Sequence, residues 1–536
     1  MPTLDWIGKK AVLNHHNEVP FHLLKEVPEL SVGEPGSGNL LVEGDNLLAL
    51  KALLPYYAGQ VKCVCIDPPY NTGNENWIYN DNVSSPEIKA WLGKVVGGEL
   101  EDLSRHDKWL CMMYPRLALL RELLCEDGAI FACIDDMEVG HFRLLLDEIF
   151  GPTNLIANFV WQSKDTPGNN STGVADTHNH ILAYRKSARF RLHLLARNEK
   201  QLGTYTNPDN DPRGPWLAAP LTRVEHRDRD YYALKNPAGK EVWPPKGSSW
   251  RRPPAKMREL AEQDRIWWGK DGDSSFPMEK KFLSEAKEGV VNQTWWPYAF
   301  AGSTRNASAE LKEIFGGEKK FDTPKPTQLA RVILAMATDS DSLVLDSFAG
   351  SATTAHAVMQ LNKEDGGARR FILVEMESNI CQNVSAERLR RVIEGYKKHD
   401  GTPMEGLGGG FRYCRLGARC FDEHGRINPE VSFTDLARHV YFTETGEPLP
   451  PHRRRAGPLI EVHRGTAIYL LFNGGLKDKS ADGGNVLTQD VLESLPPHDG
   501  PKVIYGTACR ISSLVSADGL EWKWNPSGPD GEFRIG

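Results

Sequence analysis

Two short stretches decide the fold of this chain: Val61-Lys62-Cys63-Val64-Cys65-Ile66-Asp67-Pro68-Pro69-Tyr70 and Leu343-Val344-Leu345-Asp346-Ser347-Phe348-Ala349-Gly350-Ser351. Each is an apolar run that ends in an aspartate and a tight turn. A buried parallel strand has this pattern, and its carboxyl end lies at the sheet edge where ligands bind. We therefore expect both stretches to end at one edge of a parallel sheet.

Strands and helices are predicted in two blocks, about residues 40–186 and 321–398, on either side of an irregular segment rich in Pro, Gly and Trp. Strands that alternate with helices indicate a parallel sheet covered by helices on both faces. The prediction is one doubly wound α/β sheet built from both blocks, followed by an α+β extension. The predicted domains are 1–38 (N-terminal extension), 39–186 (first half of the sheet), 187–300 (inserted domain), 301–400 (second half) and 401–536 (C-terminal domain).

The composition, 40% hydrophobic and 25% charged with a net charge of −7, is that of a soluble globular protein. No apolar run reaches about 18 residues, so we expect no membrane span. The nine cysteines form no paired framework and no zinc-like quartet, which favours a reducing, cytoplasmic setting. Thr177-His178-Asn179-His180 could suggest a metal, but no third ligand stands at a suitable spacing. We expect a loop before a core strand there, and no metal.

The middle of the chain has the features of a nucleic-acid-binding surface. Residues 161–320 contain 27 Lys and Arg against 20 Asp and Glu, and eight of the 14 tryptophans. Basic charge interleaved with aromatic rings suits a surface that meets phosphates and stacks bases. Arg251-Arg252, Trp267-Trp268 and Trp295-Trp296 are candidate DNA contacts. The alternative, a core residue in an irregular domain, is the better interpretation for any single tryptophan.

Asp67-Pro68-Pro69-Tyr70 carries the groups needed to methylate an amino nitrogen. The exocyclic amino group of adenine or cytosine is a poor nucleophile because its lone pair is delocalised into the ring. If the Asp67 carboxylate and the Pro68 carbonyl accept its two N–H bonds, the lone pair can point at an electrophilic methyl. The prolines stiffen the turn, and Tyr70 offers a flat face on which an extruded base can stack. The alternative is an ordinary turn capped by Asp and Pro.

The second turn has the features of a site for an amino-acid-like ligand. Gly350 lets the backbone approach a ligand closely, the helix N-terminus that follows suits a carboxylate, and Asp346 can take an amino group. Glu375 ends the next strand, about where an acid binds ribose hydroxyls. Asp45, in Gly44-Asp45-Asn46, could accept from an adenine amino group, cap the next helix, or do both. The alternative is a tight βα turn without a ligand.

Several segments of the chain resemble the β-class amino methyltransferases that use S-adenosylmethionine, and more narrowly the modification subunit of type III restriction–modification systems. They are Leu41-Val-Glu-Gly-Asp-Asn-Leu-Leu-Ala-Leu50, Asp67-Pro-Pro-Tyr-Asn-Thr-Gly73, Phe321-Asp-Thr-Pro-Lys-Pro326, Phe348-Ala-Gly-Ser-Ala-Thr-Thr-Ala-His-Ala-Val358 and Gly408-Gly-Gly-Phe-Arg-Tyr-Cys-Arg-Leu416. The resemblance covers about 40–186 and 300–416. It implies a circularly permuted Rossmann-like sheet with a target-recognition domain inserted between its halves.

The resemblance also implies a function, a site-specific DNA adenine-N6 methyltransferase that acts on a flipped-out adenine. It assigns Asp67, Pro68, Pro69 and Tyr70 to the target base. It assigns the following residues to the methyl donor, S-adenosylmethionine: Asp45, Asn46, Lys325, Asp346, Phe348, Gly350, Ser351 and Glu375. The implied partners are double-stranded DNA, a second copy of the chain and a restriction subunit. One departure is Ala352, where the family usually has a second glycine.

Two other functions fit the same residues. The first is cytosine-N4 methylation, although Asp67 stands where those enzymes often carry Ser, which favours adenine. The second is a DNA-recognition subunit that directs a partner nuclease–helicase, with methylation lost or secondary. The intact Asp-Pro-Pro-Tyr motif argues against such a loss.

Overall fold

The computed structural model describes residues 4–33, 37–71, 105–167, 173–421, 428, 430–450, 457–472, 484–506, 508–511 and 532–535. The chain forms two compact units. One comprises Met1–His193 with Gln293–Gly536, and the other is Leu194–Asn292. Within the described ranges, no helix combines the length and the hydropathy needed to cross a membrane.

An 11-stranded sheet organises the larger unit. Its strands are β1 (His22–Glu26), β2 (Val32–Gly33), β3 (Leu40–Glu43), β4 (Val61–Ile66), β5 (Leu124–Ile134), β6 (Leu155–Gln162), β7 (His178–Arg185), β8 (Trp295–Trp296), β9 (Leu343–Asp346), β10 (Arg370–Glu375) and β11 (Gly410–Arg419). The order across the sheet is β1-β11-β3-β10-β9-β4-β5-β7-β6-β8, and β2 also pairs with β11. The six strands from β11 to β5 are parallel. Strands β1, β2 and β7 pair antiparallel with their neighbours.

The strands that carry the two sequence motifs, β4 and β9, are direct neighbours, and Leu345 pairs with Val64. From β4 the chain continues to β5 on one side, whereas from β9 it continues to β10 on the other. The strand order therefore reverses between β4 and β9. At such a switch point a crevice opens at the carboxyl ends of the strands. The predicted doubly wound, circularly permuted Rossmann-like sheet is confirmed.

Helices cover both faces of the parallel strands, which explains why those strands are apolar throughout. Strand β9 is buried along its whole length. On one face, apolar side chains of α1 (Asn46–Tyr57), α2 (Arg105–Leu123) and α3 (Val139–Phe150) form the main core with the sheet. The other face carries α4 (Thr327–Ala337), α5 (Thr353–Asp365) and α6 (Glu387–Glu394).

The larger unit continues past β11 into the predicted α+β extension. The helix Phe433–Thr445 packs on a sheet with the strand order Leu459–His463, Thr466–Leu470, Lys502–Tyr505 and Glu532–Ile535. The remaining elements of the unit are the helices Lys9–Val12, His15–Glu18, Tyr298–Ala301, Thr304–Ile314, Ser378–Ile380 and Gln489–Ser494, a π-helical turn Cys381–Ala386, 3-10 turns Pro28–Leu30 and Pro152–Asn154, and the strand pairs Gly395–Lys397 with Pro403–Glu405 and Val486–Leu487 with Ala508–Cys509.

The smaller unit, Leu194–Asn292, has its own core. Its elements are the strands Trp216–Pro220, Thr222–Arg223, Leu234–Lys235, Glu241–Val242, Ser249–Trp250, Ile266–Trp267 and Met278–Phe282, and the helices Glu199–Leu202 and Pro254–Glu262. Its buried side chains include Leu221, Trp250 and Leu260. The two ends of the unit meet, because Leu195 and Val290 form an antiparallel bridge.

The structure differs from the sequence predictions at several places. The loop predicted at Thr177–His180 is wrong, because His178 already pairs with Gln162 and β7 begins there. Trp296 is 1% exposed and Trp268 is 9% exposed, so both are core residues, whereas Trp295 is 53% exposed. Thr72 and Gly73 of the first motif lie outside the described residues. The eight cysteines whose side chains are described are free, and most are buried.

Candidate active site

The carboxyl ends of β4 and β9 line one cleft with about 590 Å³ of empty space, part of which is open to solvent. Strand β5 contributes Phe131 and Cys133, and helix α4 contributes Leu329 and Ile333. Of the residues predicted from sequence, the cleft is lined by Asp67, Lys325, Asp346, Phe348, Gly350 and Ser351. The fold therefore brings residues from three distant parts of the chain to one crevice.

Asp67 follows β4 and presents its two carboxylate oxygens to different surroundings. Lys325 Nζ binds Asp67 Oδ2 at 2.5 Å. Asp67 Oδ1 is buried and has no hydrogen-bond partner among the described residues. A buried acceptor without a donor costs free energy, so the site is built to receive an N–H or O–H group from outside the chain. The Lys325 ammonium also lies 4.9 Å from the centre of the Tyr70 ring.

Side chains from the neighbouring elements hold the turn after Asp67. Trp109, in α2, donates its Nε1–H to the Pro69 carbonyl at 2.6 Å. The Tyr70 hydroxyl accepts a hydrogen bond from Asn179 Nδ2, in β7, at 3.2 Å. Burial raises the pKa of Tyr70, and the neighbouring Asp67 carboxylate raises it further. The phenol therefore stays neutral at physiological pH.

A buried carboxylate fixes the end of the same turn. Asn71 has a left-handed backbone with a φ of 60°, and its Nδ2 donates to Glu138 Oε1. Glu138 is fully buried and lies within hydrogen-bond distance of the Nδ1 atoms of His106 and His141. The sequence analysis missed Glu138 and Asn179. An acidic residue shortly after a buried strand was the available signal for Glu138.

Asp346 ends β9 and lines the cleft from a buried position. Its Oδ2 accepts from Thr354 Oγ1 at 2.7 Å, and its Oδ1 accepts from the backbone N–H of Phe348 at 3.0 Å. Burial raises the pKa of Asp346 to about 7. A cationic amino group in the cleft would stabilise the ionised form of Asp346 and lower that pKa.

Arg388, in α6, holds the second turn from the core side. Its side chain is 1% exposed, and Nη1 donates to the Ser351 carbonyl and to Thr353 Oγ1, both at 3.0 Å. Nη2 donates to Thr327 Oγ1 at 3.0 Å, so one guanidinium ties the turn to the start of α4. The sequence analysis missed Arg388, because a single arginine in a charged helix gives no signal of burial.

Glu375 ends β10 but does not line the cleft. It is 1% exposed, and its carboxylate accepts from the backbone N–H groups of Gly350 and Glu377, both at 2.9 Å. Burial raises the pKa of Glu375 to about 8. In this structure Glu375 fixes the glycine turn, and its contact with ribose hydroxyls stays a prediction.

Asp45 and Asn46 lie behind the second turn. Asp45 caps α1 by accepting from the N–H groups of Leu47 and Leu48 at 2.9 and 3.1 Å. Asn46 Nδ2 donates to the Ser347 carbonyl at 3.1 Å. Arg116, in α2, pairs with Asp45 at 3.3 Å and also donates to Asn46 Oδ1. The two residues brace the turn, and their role in donor binding stays a prediction.

Ala352 has a backbone conformation that favours glycine. Its φ is 60° and its ψ is 34°, and it is the N-cap residue of α5. A residue with a Cβ pays a steric cost in this left-handed region. Ala352 is fully buried, and its neighbours Ser351 and Thr353 line the cleft. The departure from the family's glycine therefore acts first on the backbone of the turn.

Residues 61–387 match the family model described as "DNA methylase", the N6 and N4 methyltransferases. The match covers more than half of the chain. It begins with β4 and reaches the start of α6, so it contains both turns of the cleft.

The relatives include modification subunits. The chain is 32% identical over 449 residues to the "Type III restriction-modification enzyme StyLTI Mod subunit" of Salmonella typhimurium, which covers 80% of this chain and 65% of the relative. It is 30% identical to the EcoPI Mod subunit of Escherichia phage P1, covering 82% of this chain and 74% of that protein. The chain thus spans about two thirds to three quarters of the length of these relatives.

Among solved structures, a DNA modification methylase of Thermus thermophilus complexed with S-adenosyl-L-methionine aligns at 13% identity and a TM-score of 0.31, covering 69% of this chain and 99% of that one. The family match spans both turns and more than half of the chain, and the EcoPI subunit is 30% identical over most of its length. This chain therefore belongs to the DNA methylase family of N6 and N4 methyltransferases.

Proposed function

We propose that this chain is a site-specific DNA adenine-N6 methyltransferase. It transfers a methyl group from S-adenosylmethionine to an adenine that is flipped out of double-stranded DNA, and it is the modification component of a restriction–modification system. The observation that carries the proposal is the shared cleft, in which the unpaired Oδ1 of Asp67 and the turn from Asp346 to Ser351 lie together.

The polar and apolar groups of the cleft fit the methyl donor. Asp346 offers a buried carboxylate for its amino group, and Gly350 and Ser351 offer a turn at the start of a helix, which suits its carboxylate. Phe348 and Ile333 supply apolar surface for its adenosine portion. When bound, the donor supplies an electrophilic methyl carried on a sulfonium.

The first turn fits the amino group of the target base. Asp67 Oδ1 accepts one of its N–H bonds, and the Pro68 carbonyl accepts the second. Trp109 already donates to the Pro69 carbonyl, so that oxygen is held toward α2. With both N–H bonds engaged, the nitrogen lone pair points away from the ring plane, and Asp67 is placed to take the proton that the nitrogen loses. The Tyr70 ring is the surface on which the flipped base stacks.

Lys325 serves the acid as well as the donor in this proposal. Its ammonium group binds Asp67 Oδ2, and a nearby cation favours the ionised form of a carboxylate. Asp67 must be ionised to accept a hydrogen bond at both oxygens. Lys325 therefore keeps one oxygen occupied and directs the other into the cleft.

The family relatives support the proposed partners. StyLTI and EcoPI Mod are named as subunits of type III restriction–modification enzymes. By analogy, this chain would modify double-stranded DNA as a homodimer and join a restriction subunit. We assign 39–186 and 301–400 to the two halves of the methyltransferase domain and 187–300 to target recognition, with extensions at 1–38 and 401–536.

Mass spectrometry of the nucleosides from DNA incubated with the protein and S-adenosylmethionine tests the activity. N6-methyldeoxyadenosine is the expected product, and N4-methyldeoxycytidine would show the cytosine alternative instead. Asp67→Ala should lower the methylation rate by at least about 100-fold, because the acceptor of the amino group is gone. Its donor affinity, measured by calorimetry, should be unchanged. A wild-type protein that binds donor and DNA but methylates neither base would leave only the recognition role.

A further inference from the structure

Strand β7 begins with two histidines on the same face. Side chains alternate along a strand, so His178 and His180 lie on one face of the sheet and Asn179 on the other. Asn179 contacts the Tyr70 hydroxyl on the cleft face. The two imidazoles lie side by side on the opposite face, with their ring centres 5.2 Å apart.

Asp136 supplies the third ligand that the sequence lacked. It follows β5, whose last residue, Ile134, pairs with His180. The Asp136 Oδ1 atom lies 2.8 Å from His180 Nε2 and 3.7 Å from His178 Nε2. One ligand atom from each of the three residues lies within 4.8 Å of the other two. The distance in sequence between β5 and β7 explains why spacing alone did not indicate this group.

Both imidazoles have an acceptor oxygen near each of their two nitrogens. His180 Nδ1 lies 3.2 Å from Asn158 Oδ1, and His178 Nδ1 lies 3.9 Å from Asp176 Oδ1. A neutral imidazole carries only one N–H. If Nδ1 donates to the outer oxygen, the Nε2 lone pair faces the lone pairs of Asp136. A cation between the three inner atoms removes this conflict.

We propose that Asp136, His178 and His180 bind a zinc ion. Zinc takes histidine nitrogen and carboxylate oxygen, and three protein ligands leave its fourth position to water. In metal sites the outer nitrogen of a ligating histidine usually donates to an oxygen that fixes the ring, which is the place of Asn158 here. Asp136 is about half exposed, whereas the side chain of His180 is only 13% exposed. An ion can thus enter from solvent and meet a fixed ligand.

The zinc would have a positioning role in the proposed reaction. It would tie the end of β5 to the start of β7, and the next residue of β7, Asn179, holds the Tyr70 hydroxyl. The ion lies on the face of the sheet away from the cleft and takes no part in methyl transfer.

A second group offers a matched control. His106, Glu138 and His141 also place three ligand atoms within 4.8 Å of one another. Glu138, however, accepts hydrogen bonds from Asn71 and from Nδ1 of both histidines. Its oxygens are satisfied by donors, so no acceptor conflict calls for a cation there.

Calorimetry with zinc chloride, on full-length protein stripped by a chelator, tests the site. We expect one zinc per chain in the wild type. His178→Gln and His180→Gln should each weaken zinc binding by at least about tenfold, whereas His106→Gln should leave it unchanged. Asp136→Asn is the variant to use if a histidine variant fails to fold, because Asp136 is the more exposed ligand.

Two further measurements identify the ligands without any assay of methylation. Zinc should raise the melting temperature of the wild type and of His106→Gln, but not that of His180→Gln. Cobalt in place of zinc should give visible bands without the intense near-ultraviolet band of a cysteine thiolate. Absence of zinc binding in the wild type would overturn the proposal, as would a zinc affinity that the His178→Gln and His180→Gln variants keep.

Discussion

At the scale of single residues, the cleft depends on carboxylates that the fold keeps from water. Asp346 and Glu375 end adjacent strands and are both buried, which raises their pKa values to about 7 and about 8. Asp67 differs, because Lys325 supplies it with a cation. The two turns therefore contain acids in different electrostatic surroundings, although each acid follows a similar apolar strand.

The raised pKa of Asp346 predicts how donor affinity depends on pH. Binding of a cationic amino group requires the ionised carboxylate, so binding of S-adenosylmethionine below the pKa releases a proton. Affinity should therefore rise with pH up to about 7 and fall by up to about tenfold for each pH unit below it. Asp346→Asn should bind more weakly and with little dependence on pH. Calorimetry between about pH 5.5 and 7 measures both, and an equal slope in wild type and variant would contradict the assignment.

At the scale of elements, one helix braces both turns of the cleft. Trp109 of α2 donates to the Pro69 carbonyl of the first turn. Arg116, two turns further along α2, donates to Asn46, which in turn donates to the Ser347 carbonyl of the second. The chain thus uses a helix outside both motifs to fix their relative positions.

The turn into α5 carries a second prediction, at Ala352. Relief of the left-handed strain by Ala352→Gly is worth about 1–2 kcal/mol. It is offset by about 0.5–1 kcal/mol of backbone entropy and by about 0.8 kcal/mol for the lost buried methyl. Denaturant unfolding should therefore show a free energy of unfolding within about 1 kcal/mol of wild type.

Ala352→Val supplies the contrast for that prediction. A β-branched side chain is strongly disfavoured at positive φ, and this position is fully buried. The valine variant should unfold at a clearly lower denaturant concentration than the glycine variant. Equal stability of the two variants would show that the backbone of the turn is not constrained as the structure describes.

At the scale of the whole molecule, the smaller unit is an insertion with its own core. The core residues of Leu194–Asn292 and those of the main sheet form separate clusters. The chain enters and leaves the unit through the bridged residues Leu195 and Val290. A bridge of this kind holds two Cα atoms about 5 Å apart, so a short turn can replace everything between them.

Replacement of residues 196–289 by a two-residue turn tests the role of this unit. The main sheet should still fold and bind S-adenosylmethionine, because its core and its cleft lie outside the unit. Methylation at the recognition sequence should be lost, because the surface proposed to read that sequence is gone. Calorimetry measures donor binding, and long-read sequencing measures methylation. Retention of the same methylated sequence would contradict the assignment of target recognition to the unit.

Part of this structure follows directly from the order of residues in the chain. Local patterns of apolar residues predicted the parallel strands, because a strand buried on both faces must be apolar throughout. The residues Asp67 and Asp346 were found in the same way, since each stands where such a strand ends. The family match agrees with the motifs at these two turns.

The amino-acid sequence by itself determined the parallel sheet, the two turns at its edge and the family, because these depend on local pattern. Only the tertiary structure decided which side chains support the turns: Arg388, Glu138, Trp109, Asn179 and the group around Asp136. Hydrogen bonds and ligand groups form between elements that are distant along the chain. Their partners are set by the packing of the sheet and its helices, and spacing in the sequence carries no record of them.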